Sequence, residues 1–521
     1  MDGSGAGKSA SYVIPNACQQ LGSYVFTDPK GELYDQTAGF LREKGYKIKV
    51  LNLVRPEKSD GYNPLHHIRN QIDVDIIANT IVKGQKDAAS SSDPFWDDMA
   101  EMLLKSLIYY LREVRPPEEQ NLASCAELVR AANNNGGDNL LSNLINQLPH
   151  QHPARTNYRS IEVSSDKTYG SILSSLQSKL GKFDSKAIAE LTSTNTIDFE
   201  EIGKEKTALY VISSDTHAAY DFLLTIFFSQ MIQRLYDFAD ECGGELPVQT
   251  FFILDEFANI GKIPDFDKKI STSRSRKISF SVILQNLDQL EAVYKESHET
   301  ILGNCDTHVF LGSNSQKTVE YFSKALGEKT IYRESESINK DRNDWKQGKS
   351  VSEQNMARAL LTPDELRRLD VDQCIIYEKG LKPIRAQKYY YFNHPTEKQI
   401  RPFRLDHNDR EVTDRGKWRT YNPYNPYEEK RETVEPTKIE SLDDLFADDE
   451  PKKEEAPKEE KNNNNVQPIL DLSSLDMPPE LPMEPVGEPK VEPQTTQEKL
   501  DLQKEMEAKF DELFGTLNDI D

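Results

Sequence analysis

The feature that most constrains the fold of this chain is a glycine-rich run that ends in Lys-Ser. The run consists of Gly3, Ser4, Gly5, Ala6, Gly7, Lys8 and Ser9. It approximates the pattern G-x-x-x-x-G-K-[ST], whose backbone N–H groups surround phosphate oxygens, whose Lys reaches the β- and γ-phosphates and whose hydroxyl binds Mg²⁺. Asp2 stands where the pattern has its first glycine. Alone, the run would also fit a flexible terminus.

A second pattern, far downstream, supports a nucleotide site. The apolar run Thr250–Leu254 (TFFIL) is followed directly by Asp255 and Glu256. Beside a phosphate loop, the first such carboxylate holds the Mg²⁺ shell through water and the second polarises the attacking water. Two acids after a strand can also cap a helix. Both patterns in this order predict ATP and Mg²⁺ as ligands, with Ser9 and Asp255 at the metal and Glu256 at the attacking water.

Further polar residues are candidates for the same site. Arg274 and Arg276 lie in a locally basic segment. In a ring ATPase such arginines can reach a neighbour's γ-phosphate, but they could also contact DNA phosphates or lie on a solvated helix face. Gln285 ends the next predicted strand, where a polar residue either senses the γ-phosphate or serves as a buried structural amide. The turn at 28–32 (DPKGE) also follows a predicted strand, but its chemistry assigns it no role.

Apolar runs rich in β-branched and aromatic residues predict the strands of a mostly parallel sheet. Helical stretches separate most of them, the alternation that indicates an α/β fold with helices on both faces. Residues 93–195 show amphipathic helical spacing, for example at 99–111, and predict an all-α insertion. The predicted strands are 23–27, 47–53, 207–212, 248–254, 278–284 and 307–311, followed by a terminal pair at 374–378 and 384–392.

The composition changes beyond residue 427. That segment holds 28 acidic and 11 basic residues, so most of the net charge of −23 lies there, and it buries too little apolar surface to fold alone. Apolar islands at 443–446 (DDLF) and 511–514 (DELF), with a helix-spaced apolar face over 502–520, predict docking motifs for an unknown partner or chance features of a solubilising tail. The predicted domains are a nucleotide-binding domain in two parts (1–92 and 196–400), the all-α insertion (93–195), a basic and aromatic extension (401–427) and a disordered acidic tail (428–521).

Two observations argue against whole classes of protein. No apolar stretch approaches the about 18–20 residues that cross a bilayer. The most apolar one, 222–232, contains Thr225 and Gln230 and predicts a buried helix. The five cysteines are scattered and form no C-x-x-C pair, which argues against a zinc site or a disulfide framework and fits a reducing, cytoplasmic setting.

Taken together, these motifs resemble the type IV coupling proteins, the TraG/TraD-type ATPases of conjugation and type IV secretion. The resemblance covers roughly residues 3–395, and the helical insertion is similar to the family's all-α domain. It rests on GSGAGKS at 3–9, VIPN at 13–16, TDPKGEL at 27–33, GYNPL at 61–65, LDEFANIG at 254–261 and the segment 278–285.

The resemblance implies a RecA-like nucleotide-binding domain, a homo-hexameric ring, and ATP-driven movement of single-stranded DNA and protein to a secretion channel. It places Lys8 and Ser9 in the Walker A motif and the acidic pair after the 250–254 run in the Walker B motif. It does not choose between Arg274 and Arg276. The implied partners are a relaxase bound to single-stranded DNA, secretion-channel ATPases and inner-membrane subunits, at the cytoplasmic face of the bacterial membrane.

Two features depart from that family. Most members have N-terminal transmembrane helices, and here these helices and the strand before the phosphate loop are both missing. We therefore expect an N-terminally truncated form with weak or no ATPase activity, or a natural soluble form that docks on a separate membrane subunit. A cargo receptor or adaptor of the same system, with little or no ATPase activity, is a second functional hypothesis. A small-molecule kinase is a third.

Overall fold

The structure, a computed structural model, describes residues 7–84, 94–132, 139–214, 220–339, 348–412 and 414–423. All of them belong to the first of two compact units, Met1–Glu435, and the second unit, Pro436–Asp521, lies outside them. The predicted disordered tail, its two short apolar motifs and its terminal amphipathic helix therefore also lie outside the described residues.

The strands in the described residues form three separate sheets. They are β1 (Ser23–Thr27), β2 (Lys47–Asn52), β3 (Thr207–Ile212), β4 (Thr250–Leu254), β5 (Ile278–Val282), β6 (Thr307–Phe310), β7 (Glu328–Asn339), β8 (Gly348–Ala359), β9 (Gln373–Glu378) and β10 (Ile384–Gln387). The largest sheet is parallel throughout and has the order β2-β3-β1-β4-β5. This sheet confirms the predicted α/β class with a mostly parallel sheet.

Both faces of the five-stranded sheet are covered. All five residues of the central strand β1 are buried. Because successive side chains of a strand point to opposite faces, Val25 packs in one hydrophobic cluster while Tyr24 and Phe26 pack in the other. A parallel sheet covered on both faces has no solvated side, which agrees with the nearly continuous apolar sequences of β3 and β4.

Helices make most of the connections between these strands. The α-helices of the described residues are α1 (Ile14–Cys18), α2 (Glu32–Glu43), α3 (Gln71–Lys83), α4 (Pro94–Val114), α5 (Leu122–Ala132), α6 (Leu140–Asn146), α7 (Pro153–Glu162), α8 (Asp166–Leu180), α9 (Lys186–Ser193), α10 (Phe199–Lys204), α11 (Asp221–Glu241), α12 (Phe266–Thr272), α13 (Leu287–Tyr294), α14 (Ser297–Gly303), α15 (Gln316–Leu326), α16 (Pro363–Arg367) and α17 (Pro395–Ile400). Between β2 and β3 the described chain contains helices and no strand. Leu103 and Leu107 of α4 belong to the same hydrophobic cluster as Leu51 of β2, so the inserted helices extend the core on one face of the sheet.

The strand predicted at 307–311 forms, but it does not join the parallel sheet. β6 pairs antiparallel with β9, for example Val309 with Ile376, and β9 pairs in turn with β10. An apolar run identifies a strand without identifying its neighbour. The β7–β8 hairpin was missed altogether, because its sequence is largely polar and even Tyr332 is exposed.

An open cleft lies between the five-stranded sheet and the three-stranded sheet β10-β9-β6. Among the described residues, β5 pairs with β4 and β6 pairs with β9, so each is an edge strand of its sheet. Residues of both strands line a cleft of about 720 Å³, which we call the inter-sheet cleft. The Tyr12 hydroxyl lies 2.9 Å from Ser281 Oγ, and this hydrogen bond connects the helical segment Ser9–Val13, which precedes α1, to β5.

The segment predicted to form a buried helix at 222–232 lies in α11, and its side chains are buried. No helix in the described part of the chain is both long enough and apolar enough to cross a membrane.

Candidate functional site

Residues from separate parts of the chain meet at the carboxyl ends of β1 and β4. Thr27, the last residue of β1, pairs with Leu254 of β4, and its hydroxyl donates a 2.7 Å hydrogen bond to the Asp255 carbonyl. Ligands of open α/β sheets bind at such strand ends. A pocket of about 330 Å³ opens there, which we call the loop pocket. Its lining includes Gly7, Lys8, Ser9, Asp28, Lys30, Glu32, Asp255, Glu256 and Gln285.

The described part of the glycine-rich loop, residues 7–9, turns directly into a helical segment. Gly7 has a φ of +77°, a left-handed conformation that glycine adopts without a steric penalty. The Ser11 N–H and hydroxyl both donate to the Gly7 carbonyl at 2.8 Å, which fixes the turn. Unpaired N–H groups at the start of a helix favour a bound anion. The other predicted loop residues, Gly3, Ser4, Gly5 and Ala6, lie outside the described residues.

Lys8 lies between the two predicted carboxylates. Its Nζ is 3.1 Å from Asp255 Oδ1 and 3.8 Å from Glu256 Oε1, and its side chain is only 12% exposed. A charge this far from water is stable only when it is paired. A bound nucleotide with Mg²⁺ would replace these contacts, because phosphate oxygens would attract Lys8 and the metal ion would attract the carboxylates.

Glu256 is held in an unusual conformation at the centre of the pocket. Its φ of +52° is left-handed, which costs a residue with a side chain about 1–2 kcal/mol. Two amides fix its carboxylate, because Gln285 Nε2 donates to Oε1 and Asn259 Nδ2 donates to Oε2, each at 3.0 Å. Its own N–H donates to Asp255 Oδ1 at 2.9 Å. The surrounding contacts therefore aim this carboxylate rather than leave it free on a surface.

Sequence reasoning found one of these two amides and missed the other. Gln285 was a candidate because it follows a predicted strand, and its contact with Glu256 places it in the pocket. Asn259 lies in the short 3₁₀ helix Phe257–Ile260, three residues after Glu256. That spacing was the available signal, since residues three apart share one face of a helical turn.

The turn after β1 supplies a third carboxyl group. Asp28 is 4% exposed and accepts a 2.8 Å hydrogen bond from the Tyr34 N–H. Burial raises the pKa of Asp28 to about 6, against the opposing effect of the backbone N–H donors of Tyr34 and Leu33. The turn identified at 28–32 therefore contributes to the loop pocket, although its sequence alone gave no role.

The two candidate arginines have different surroundings. Arg276 donates to both carboxylate oxygens of Asp240, at 3.0 and 3.2 Å, and its guanidinium lies 4.9 Å from the centroid of the Tyr236 ring. Arg274 is exposed, forms no ion pair with any described residue, and lines the inter-sheet cleft together with Lys8. The structure places neither arginine in the loop pocket, but of the two only Arg274 has a charge that no described residue engages.

The donor set of the loop pocket fits a nucleoside triphosphate with Mg²⁺. Lys8 and the N–H groups at the start of the helical segment are suited to phosphate oxygens. The Ser9 hydroxyl and the Asp255 carboxylate are oxygen ligands of the kind that Mg²⁺ prefers. Both of these residues line the same pocket as Lys8.

Comparison with known proteins identifies the family to which the sequence is similar. The sequence matches the family model "Type IV secretory system Conjugative DNA transfer" over residues 1–415. It is 25% identical over 419 residues to protein VirD4 of Rhizobium radiobacter, across 76% of this chain and 57% of that protein. It is 25% identical over 427 residues to the conjugal transfer protein TraG of Escherichia coli, across 75% of this chain and 66% of that protein. The chain thus spans less than two thirds of the length of either relative.

Solved structures share the fold. The bacterial conjugative coupling protein TrwBdeltaN70, in a trigonal form with sulphate, aligns with a TM-score of 0.55 at 16% identity, over 74% of this chain and 84% of that chain. The plasmid coupling protein TrwB in complex with the ATP analogue ADPNP aligns with a TM-score of 0.54 at 15% identity, over 75% of this chain and 84% of that chain. At such identities the likeness shows a common architecture, with the same α/β class.

Proposed function

The chain belongs to the family of type IV secretory system conjugative DNA transfer proteins, and on that premise we propose that it is an ATP-driven coupling protein. It recruits relaxase-bound single-stranded DNA and transfers it to a type IV secretion channel. The observation that carries the proposal is the contact of Lys8 with Asp255 and Glu256 in one pocket.

The residues of the loop pocket divide the work of ATP hydrolysis among them. Lys8 and the loop N–H groups would bind and orient the phosphates, and Ser9 and Asp255 would hold Mg²⁺. Bound Mg²⁺ neutralises charge on the β- and γ-phosphates. Glu256 accepts a proton from the attacking water, and its two amide partners keep its carboxylate aimed at that water. Gln285 donates a hydrogen bond to the carboxylate of Glu256, the proposed general base. Because Gln285 follows β5, a change at the γ-phosphate that moves Glu256 could be passed through Gln285 to that strand.

Ring assembly would complete the site. Six copies arranged as a ring place an exposed cation of one subunit near the nucleotide of the next, where an arginine stabilises the charge of the transition state. Arg274 suits this role because it is exposed and forms no ion pair among the described residues. Arg276 does not suit it, because Asp240 and Tyr236 already engage its guanidinium.

The partners and the location follow from the same proposal. The chain would work at the cytoplasmic face of the bacterial membrane, against the channel ATPases and inner-membrane subunits of the secretion system. A relaxase bound to single-stranded DNA would be the cargo. The acidic segment beyond residue 427 would supply docking motifs for a partner.

Glu256→Gln tests the proposal against the adaptor hypothesis. Loss of a general base lowers a rate by about 100- to 10,000-fold, so donor cells that express only this variant should lose plasmid transfer and ATP turnover while still producing the protein. Glu245→Gln is a matched control, because Glu245 is exposed and pairs with Lys277 outside the pocket. Normal transfer by the Glu256→Gln cells would reject the motor and favour a receptor or adaptor.

A further inference from the structure

An aromatic segment after β10 lies against the phosphate loop. The four consecutive aromatic residues are Tyr389, Tyr390, Tyr391 and Phe392. A Cβ atom added to Gly7 would come within 2.7 Å of Tyr390 Cε1, so the edge of the Tyr390 ring lies directly on the loop backbone. The sequence pattern predicts a terminal strand for this segment and gives it no part in the site.

The four rings have different surroundings. Tyr391 packs against the hydrophobic cluster that contains Val13, on the inner side of the segment. Tyr389 stacks on His394, with ring centroids 3.7 Å apart and ring planes 4° apart. Tyr390 and Phe392 stack on each other at 5.3 Å and 20°, and Phe392 remains 52% exposed. The Tyr390–Phe392 pair therefore joins the loop to an aromatic surface that faces solvent, and the Tyr391 ring meets Phe392 edge-on from the inner side, with ring centroids 5.6 Å apart.

We propose that the Tyr390–Phe392 pair is the platform on which the base of the bound nucleotide stacks. This inference rests on the proposed function, because it needs a triphosphate at Lys8. The Tyr390 ring contacts the loop that would hold the phosphates, and the Phe392 ring stacked on it is 52% exposed and so is accessible to a ligand. The base of a nucleotide is a flat ring joined through its sugar to the phosphates, so its shape matches this aromatic surface, and the contact of Tyr390 with Gly7 puts the surface next to the loop that would hold those phosphates.

Stacking also sets the expected selectivity. Every nucleobase has a π-face, so a platform made of rings binds bases without reading their hydrogen-bonding edges. The Tyr390 hydroxyl is engaged by the Val371 carbonyl at 3.3 Å and does not serve as a base-specific donor. ATP and GTP should therefore bind with similar affinity, and discrimination between them should be small.

The test separates the base from the phosphates by calorimetry with two probes, Mg·ATP and Mg·tripolyphosphate. Phe392→Ala and Tyr390→Leu should weaken Mg·ATP binding by roughly 5- to 150-fold, the range found when base–aromatic stacking is removed, and leave the Kd for tripolyphosphate unchanged. Leu at 390 keeps an apolar contact with Gly7 while removing the ring face. Tyr389→Ala is the control, because Tyr389 is similarly exposed but stacks on His394 instead.

The outcomes distinguish the two proposals. An unchanged Kd for ATP in both Phe392→Ala and Tyr390→Leu overturns the platform and leaves the proposed ATPase intact. Equal weakening of ATP and tripolyphosphate also overturns it, because the rings would then act only by shaping the phosphate loop. Failure of the unaltered chain to bind either probe overturns both proposals together.

Discussion

Arg274 and Arg276 lie two positions apart, and replacing each by alanine should have opposite consequences. Arg276→Ala removes a two-point contact with Asp240 and a cation–π contact with Tyr236. The Arg276 side chain is 24% exposed and that of Asp240 is 56% exposed, so the ion pair is worth about 0.2–1 kcal/mol. The cation–π contact adds about 0.5–1 kcal/mol. The free energy of unfolding should therefore fall by about 1–2 kcal/mol.

Arg274→Ala should leave stability within about 0.5 kcal/mol of the original, because its side chain is exposed and unpaired among the described residues. If Arg274 reaches a neighbouring nucleotide, its loss should lower ATP turnover by about 1,000-fold or more. Arg276→Ala should retain turnover under conditions in which the protein remains folded. One substitution therefore affects folding and the other affects chemistry.

Equilibrium urea unfolding and steady-state ATP turnover, measured on the same preparations, check the expected loss of stability in Arg276→Ala and the expected loss of turnover in Arg274→Ala. The urea midpoint of Arg276→Ala should shift without a change in the slope of the transition. Arg276→Lys is a useful intermediate, because it keeps the charge and loses the two-point geometry. An unchanged midpoint in Arg276→Ala would refute the structural role of Arg276. Loss of turnover in the folded Arg276→Ala protein, as complete as in Arg274→Ala, would refute the division between the two arginines.

Three further predictions concern stability. Burial raises the pKa of Asp28 from 3.8 to about 6. As pH falls, the folded chain therefore takes up this proton before the unfolded chain does. The free energy of unfolding should consequently increase by up to about 3 kcal/mol between a pH above 6 and a pH below 4. Asp28→Asn should remove that part of the pH dependence in a series of urea titrations, and an unchanged slope would contradict the assignment. Gly39→Ala should lower stability by about 1–3 kcal/mol, because the new Cβ would lie 2.0 Å from the Phe403 carbonyl oxygen. Gly170→Ala, inside α8 with no atom near the new Cβ, should raise stability by up to about 1 kcal/mol. Thermal melts of both glycine variants check these two predictions.

Much of the parallel sheet could be predicted because its strands are buried on both faces. β3 and β4 are short, mostly apolar runs without a polar side, a pattern typical of strands that are covered on both faces. β6 has a similar composition but pairs with β9 in another sheet. The choice of partner depends on long-range packing, which no local pattern contains. In the β7–β8 hairpin none of the side chains described, at 328–334 and 353–359, is buried, so this part of the hairpin leaves no apolar pattern in the sequence.

The candidate site shows the same division. Lys8, Asp255 and Glu256 could be predicted because their chemistry fixes both residue type and order along the chain. The partners of Glu256 were less visible, since an asparagine such as Asn259 is common in turns and only its contact shows its role. The choice between Arg274 and Arg276 also needed the positions of Asp240 and Tyr236, which are distant in the sequence.

Because the backbone at Glu256 is left-handed, selection for stability and selection for activity should favour different residues at this position. Glycine occupies a φ of +52° without steric cost, and asparagine and aspartate tolerate it better than glutamate does. A library of variants sorted only for thermal resistance should therefore lose glutamate at position 256. A library sorted for plasmid transfer should keep it, because no smaller residue carries a carboxylate to the same point. The residue found at position 256 in variants of this chain would therefore show whether they had been selected for ATP hydrolysis or only for a stable fold.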